Sequence, residues 1–319
     1  MRNMASAISL PSRKAHTLAA LQALLVTFLW STSWVLIKIG LTDIPALTFA
    51  GMRYSLAFLC LLPFAVRHIR RSAPQRITPR QWLFLIALGI IYYTIVQGAQ
   101  FVGLAYLPAN MVSLTLNFTS LVVAVMGILW LQERPTPLGW AGVVLSIFGG
   151  GVYFYPFSLP TGQVFGLLVA VIGMLANAAA AVLGRRINAY ENLSPILVTT
   201  ISMGIGGGLL VLLGGLFQEI PRLDGKGLAI ILWLALVNTA FAFTLWNHTL
   251  RYLSAMESTL INSAMLIQIA LLAWVFLGES LSPQKWVGLA LAGFGAAAAQ
   301  FRQPIQPPPS SSQDQAGQT

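Results

Sequence analysis

The chain is short of charge. Of its 319 residues only 8% are Asp, Glu, Lys or Arg, while 57% are hydrophobic and mean hydropathy is +0.77. Soluble domains carry about 25% charged residues, so the main solvent of this chain must be lipid. Cysteine is almost absent: Cys60 stands alone, which excludes an internal disulfide. Its apolar setting makes it a small packing residue.

Acids are scarce, and their positions are informative. Asp43, Glu133, Glu191, Glu219, Asp224, Glu279 and Asp314 fall in loops, at the ends of apolar runs or in the tail, and only Glu257 enters a run, by about one helical turn. Proton-coupled efflux of cations usually needs a carboxylate at depth with its pKa raised by desolvation. The pattern therefore favours facilitated movement or exchange over multidrug cation antiport. The chain also lacks a P-loop pattern, a metal-ligand cluster and a nucleophile-base set. ATP-driven transport and enzymology find no support, and the expectation is no catalytic residue, no metal and no cofactor.

What is present begins with basic residues between apolar runs. The net charge of +10 would suit nucleic acid, but this distribution is a membrane-topology signal, and no nucleic-acid partner is expected. Arg2, Arg13, Lys14 and His16 precede an apolar run of roughly 24 residues. That run is too long for a signal-peptide core and no cleavage site follows it, so it reads as a true first helix. Residues 1–17 form a cytoplasmic N-terminal segment. The tail 302–319, rich in Pro, Ser and Gln, reads as a disordered cytoplasmic extension.

A helix crosses the hydrocarbon core in about 20 residues. The apolar runs give ten spans, at 18–41, 45–66, 81–105, 108–131, 137–155, 162–185, 193–216, 227–250, 254–277 and 283–301. With the N-terminus inside, thirteen Lys and Arg lie in cytoplasmic loops and ends, against four outside (Lys38, Arg222, Lys226 and Lys285). Arg53 lies within a span. Both termini are therefore cytoplasmic.

The chain also repeats itself. Tyr106-Leu107-Pro108-Ala109, Leu131-Gln132-Glu133, Pro137 and Trp140 recur 146 positions later as Tyr252-Leu253-Ser254-Ala255, Leu277-Gly278-Glu279, Pro283 and Trp286. Gly142, Phe148 and Gly149 recur as Gly288, Phe294 and Gly295. Each unit (18–155 and 162–301) holds five spans. An odd number makes the second copy enter from the opposite side, as an inverted repeat able to pack in two near-equivalent ways. The fold class is thus an all-α membrane protein of two inverted five-helix repeats.

These motifs carry a family resemblance. Phe28-Leu29-Trp30-Ser31-Thr32-Ser33-Trp34 with Lys38-Ile39-Gly40 resembles the first helix of EamA-type members of the drug/metabolite transporter superfamily. Arg53-Tyr54 is similar to that family's Arg-aromatic pair, Phe101…Ala105-Tyr106…Ala109 to its third-to-fourth junction, and the two leucine-glutamate turns to its paired turns. The resemblance covers residues 18–301 and implies a ten-helix carrier of small metabolites, often an exporter. The Trp-Ser-Thr run is also similar to bacterial aromatic amino-acid exporters.

Polar side chains at membrane depth mark candidate sites. Halfway along the spans lie Trp30, Ser31 and Thr32, then Arg53, then Tyr92 and Tyr93 with Gln97 and Gln100. At helical spacing Tyr93, Gln97 and Gln100 make one polar stripe. Asn117, Asn177, Asn238 and Asn262 follow, with Gln268, and nearer the cytoplasm come Trp246, Asn247 and His248. Such a cavity has aromatic faces and neutral hydrogen-bonders, which suits a zwitterion or an amphipathic metabolite. Any of the amides could instead bond helix to helix, and Trp246 and His248 could anchor the interface. The shift of 146 pairs Tyr92 with Asn238 and Gln100 with Trp246. These divergent pairs are where substrate choice is expected.

Arg53 has no acid at its depth. Either a substrate carboxylate is its partner, or it bonds carbonyls near a helix end or snorkels outward. The resemblance, which implies such an Arg across diverse substrates, favours the structural alternative. Gly204, Gly206, Gly207 and Gly208 read as a close-packing stretch ahead of a hinge. The function expected is export of amino acids, aromatic or apolar ones included, across the cytoplasmic membrane. Alternatives are carriage of nucleotide sugars or drugs, and more remotely a lipid-handling enzyme or scaffold. The partners expected are a small-molecule substrate and the bilayer, with monomer and dimer both compatible.

Overall fold

The computed structural model describes residues 13–71, 77–131, 136–156, 160–190, 193–219, 221, 223–249, 252–253 and 255–299. Gln132, Glu133, Arg134, Glu191, Arg222, Arg251 and both terminal segments lie outside them, as do the side chains of Arg185, Arg186, Asn247 and Glu257. Every element is helical; no strand occurs among the described residues.

Ten rods follow in chain order. They are α1 (Arg13–Gly40), α2 (Ala46–Arg71), α3 (Pro79–Leu88 continuing through Gly89–Val96 and Gln97–Tyr106), α4 (Ala109–Asn117 and Thr119–Leu131) and α5 (Pro137–Phe154). Then come α6 (Thr161–Tyr190), α7 (Pro195–Phe217), α8 (Gly225–Ala235 continuing through Leu236–Phe241 and Ala242–Thr249), α9 (Ala255–Leu277) and α10 (Pro283–Ala298). Seven are long and apolar enough to cross a membrane, and Ala109–Val123 and Ile261–Leu277 are shorter apolar helices.

Local chemistry sets the starts. Proline opens α3, α5, α7 and α10, where its missing N–H and fixed φ cost nothing. Thr78, Thr136, Asp224 and Ser282 accept from the first-turn amides of α3, α5, α8 and α10. Helices α2 and α4 are capped across the repeats instead. Gln218 Oε1 accepts from Leu47 N at 2.9 Å and Thr48 N at 3.1 Å, and Glu279 Oε1 accepts from Ala109 N at 2.7 Å.

Two antiparallel seams join the halves. Along α2 and α7, Thr48 faces Gly214, Gly51 faces Val211, Ser55 faces Gly207 and Phe58 faces Gly204. Along α5 and α10, Gly142 faces Ala299, Ser146 faces Gly295, Gly149 faces Ala292 and Tyr153 faces Gly288. A Cβ added at Gly51 would sit 2.6 Å from the Val211 amide nitrogen, and one at Gly288 would sit 2.7 Å from that of Tyr153. Only glycine permits this approach.

The seams carry a local two-fold exchange. A shift of 146 converts the Gly142–Ala299 contact into Gly288–Tyr153, and Gly149–Ala292 into Gly295–Ser146. Ser146 Oγ donates to the Ala292 carbonyl at 3.2 Å, and these two residues are themselves 146 apart. So are Phe58 and Gly204 at the α2–α7 crossing. Three further pairings follow the same exchange: α1 packs on α9 as α6 does on α4, α1 on α8 as α6 on α3, and α2 on α8 as α7 on α3. Of the four glycines in α7, Gly204, Gly206 and Gly207 each face a packed neighbour, and Gly208 faces open space.

The Gly149→Ala variant should lose stability by about 1–3 kcal/mol, because its methyl has only the Ala292 backbone to enter. Gly151→Ala, where nothing lies within 4 Å, is the matched control. Thermal unfolding in detergent compares them, and equal midpoints would contradict the seam.

Candidate functional site

Six of the ten rods, with a contribution from α8, surround a cavity of about 320 Å³. Among the described residues α5, α7 and α10 supply none of its walls. Its shape depends on a departure from regular helix in α3. Residues Gly89–Val96 form a π-helix, and the equivalent stretch of α8, Leu236–Phe241, forms another. A π-helical turn holds an extra residue. Side chains five apart then align, which brings Tyr92 and Gln97 onto the cavity side together with Val96 and Gln100.

Tyr93 is turned away. It is buried, its Cβ lies against Gly206, and its ring meets Tyr54 edge-on at 5.6 Å and Tyr92 at 4.9 Å. The stripe expected of Tyr93, Gln97 and Gln100 is thereby corrected: the π-helix puts Tyr92 in the place a regular helix would give Tyr93.

Eight of the fourteen candidates line the cavity: Trp30, Arg53, Tyr92, Gln97, Gln100, Asn117, Asn177 and Asn262. The other six do not, for identifiable reasons. Ser31 is fully buried between the Thr27 carbonyl, at 2.7 Å, and Gln268 Oε1, at 2.9 Å. Thr32 donates to the Leu29 carbonyl at 2.6 Å. Asn238 is 0% exposed and donates to Thr32 Oγ1 at 3.0 Å, to Ser33 Oγ at 2.8 Å and to the Leu29 carbonyl. These three fasten helices together, an alternative the amide and hydroxyl chemistry allows equally. Trp246 packs against Trp30 with ring centroids 5.3 Å apart and planes tilted by 50°, behind the wall. His248 is exposed and meets the Tyr252 ring at 5.3 Å.

Sequence reasoning passed over Ser33, Trp34, Tyr54, Ser113, Phe243 and Met265, which also line the space. Two signals were available. Phe243 stands 146 positions after Gln97, and Tyr54 completes the pair with Arg53. Tyr54 donates from its hydroxyl to Gln97 Oε1 at 2.6 Å, fixing α2 to α3 at the cavity edge.

Arg53 is 5% exposed, so it does not snorkel. Its Nε donates to Thr239 Oγ1 at 3.2 Å, in the π-helix of α8, and its guanidinium carbon lies 5.2 Å from the centroid of the Tyr54 ring. The wider π turn lets the Thr239 hydroxyl donate to the Leu234 carbonyl, five residues back, at 2.8 Å. Its oxygen is thereby oriented to accept from Arg53. The described lining contains no Asp, Glu or Lys.

Beyond the cavity, where α1, α3 and α9 end and α4 begins, a polar layer ties the halves. Lys38 Nζ donates to the Leu104 and Leu107 carbonyls, both at 2.6 Å. Beside it stands the Glu279 cap on α4, and Tyr153 donates to Asn110 Oδ1 at 2.5 Å.

The EamA-like transporter family model matches residues 17–155 and again 164–299. The chain belongs to this family. Among its relatives, an uncharacterized transporter of Archaeoglobus fulgidus is 26% identical over 246 residues, 74% of this chain and 80% of its own. A protein of Escherichia coli strain K12 named a probable amino-acid metabolite efflux pump is 26% identical over 248 residues, 72% of this chain and 76% of its own. An uncharacterized inner membrane transporter of the same strain is 26% identical over 280 residues, covering 83% and 85%. A solved crystal structure shares the fold at TM-score 0.64 and 20% identity, over 91% of this chain and 98% of that one. The EamA-like chain is thus a multi-pass membrane transporter built from two copies of one unit.

The π-helical register can be checked by labelling. In a Cys60→Ala background a hydrophilic thiol reagent should modify the Tyr92→Cys variant about tenfold faster than Tyr93→Cys, since thiol reactivity follows access. Comparable rates, or the reverse order, would contradict the register.

Proposed function

We propose that this chain is a secondary transporter exporting small metabolites, amino acids with aromatic or apolar side chains foremost, across the cytoplasmic membrane by alternating access. One observation carries the reading: the cavity straddles the exchange between the halves and its walls mix aromatic faces with neutral amides. Pairs related by the repeat face it together, Gln97 with Phe243 and Leu116 with Asn262. Aromatic faces accept an apolar side chain or an ammonium group, and the amides of Gln100, Asn117, Asn177 and Asn262 offer acceptors and donors to a zwitterion.

Size supports a small cargo, since 320 Å³ lies at the bottom of the roughly 300–1,000 Å³ range of ligand pockets. Nucleotide sugars and phosphorylated compounds would want two or more basic groups, and the described lining holds Arg53 alone. The E. coli relative named as an amino-acid metabolite efflux pump supports the same class.

In this reading both termini are cytoplasmic and the five-helix units 18–155 and 162–301 rock about the seams as inverted repeats. The layer of Lys38, Glu279 and Tyr153 then holds the outer side shut, and no group at depth is assigned to proton coupling.

Radiolabelled amino acids loaded into proteoliposomes give the test. Phenylalanine, tryptophan or leucine should leave protein-containing vesicles faster than empty ones, and unlabelled substrate outside should accelerate their exit. If no amino acid moves while another metabolite class does, the substrate assignment is wrong.

A further inference from the structure

Arg53 presents a problem that the rest of the cavity does not. A buried guanidinium needs hydrogen-bond acceptors and a counter-charge, and leaving it without one costs several kcal/mol. Here it has one hydroxyl acceptor, Thr239 Oγ1, and one ring face, Tyr54. Neither carries negative charge, and no acid stands in the described lining.

The geometry also says which donors remain. Nε is taken by Thr239, and among the described residues no hydrogen bond reaches the two Nη groups. Those groups form the end-on fork that a carboxylate bridges with two parallel bonds. Thr239 and Tyr54 hold the guanidinium from two sides, so the fork is oriented before any ligand arrives, which lowers the cost of binding.

We infer that Arg53 is the carboxylate-recognition group of the cavity: the cargo's carboxylate supplies the missing counter-charge at the Nη fork. This rests on the transport reading above and narrows it. Substrates must carry a carboxylate, and their apolar or aromatic part then lies along Trp30, Trp34 and Tyr92, with any ammonium toward the amides of Asn117, Asn177 and Asn262. Amines, amides and esters of the same size and shape are excluded. Selection follows from an unpaired buried charge, because a ligand lacking the carboxylate leaves Arg53 unsatisfied while displacing the water around it.

The test compares L-phenylalanine with L-phenylalaninamide as competitors of labelled L-phenylalanine exchange in proteoliposomes. The wild type should be inhibited by the amino acid at concentrations at least about tenfold lower than by its amide, the ratio expected for loss of a charge-assisted hydrogen bond. In Arg53→Gln the amino acid should weaken to the level of the amide, while the amide keeps its wild-type value. Arg53→Lys should fall between. A merely structural Arg53 would weaken both competitors by the same factor, and that result overturns the inference. So does equal competition by the two in the wild type, a measurement that needs no variant to fold. In both cases transport stands and only the carboxylate role falls. If the wild type moves no amino acid at all, the amino-acid reading itself is what fails, and the inference falls with it.

Discussion

Two glycine-lined seams hold this molecule together. In hydrocarbon there is no hydrophobic gain in burying one apolar helix against another, because lipid tails are equally apolar. Close packing supplies what remains, and each atom pair contributes only about 0.1–0.2 kcal/mol, so contact must be intimate to matter. The α2–α7 and α5–α10 crossings bring backbone against backbone at Gly51, Gly207, Gly142 and Gly288. Both crossings map onto themselves under the repeat shift. Among the described residues α5, α7 and α10 act as scaffold, and the polar lining falls to α2 and the helices between the seams.

A second constraint follows from the same solvent. Every backbone group at depth needs a partner inside the protein. Regular helices satisfy their own interiors but leave their ends open. Gln218 and Glu279 reach from the second half to the first amides of α2 and α4, and Lys38 reaches the last carbonyls of α3. The Gln218 and Glu279 contacts satisfy the backbone and tie repeat to repeat in one act, whereas Lys38 closes the end of α3 within the first repeat. The π-helices are the interior counterpart. They keep the ladder nearly intact while turning α3 enough to aim Tyr92 and Gln97 at the cavity, and they place Thr239 to hold Arg53.

Much of the architecture could be read from the chain because lipid makes hydropathy decisive. All ten expected spans correspond to rods, with ends shifted by a few residues. Arg13–Gly40 and Ala46–Arg71 outrun their apolar cores, because basic residues at a span end can continue a helix into water. The site was legible only in part. Asn177 and Asn238 look alike in sequence and both bond a neighbouring helix, yet Asn177 also lines the cavity while Asn238 is fully buried against α1; the choice depends on what stands opposite, which a single chain does not record. Tyr93 was misplaced for another reason. The assumed period of 3.6 fails across Gly89–Val96, and nothing in those residues announces the extra residue per turn. The partner of Arg53, Thr239, lies 186 positions away, a pairing that a single chain does not announce.

The cavity is less symmetric than the scaffold, and this bears on mechanism. Helix α3 gives it Tyr92, Val96, Gln97 and Gln100, whereas α8, its repeat partner, gives Phe243 alone among the described residues. The difference lies in conformation as well as residue type. Asn238, the counterpart of Tyr92, is fully buried and committed to Leu29, Thr32 and Ser33 on α1. Trp246, the counterpart of Gln100, is packed behind Trp30. An inverted repeat in one of its two packings must look like this, with one copy of each helix facing the site and the other packed away. Under the rocking proposed above, reaching the opposite packing requires α1 to part from Asn238 and Trp246, while the glycine seams, being self-equivalent, need change least. On that proposal, the polar contacts of α1 with α8 and α9 are the ones that must break and re-form between the two packings.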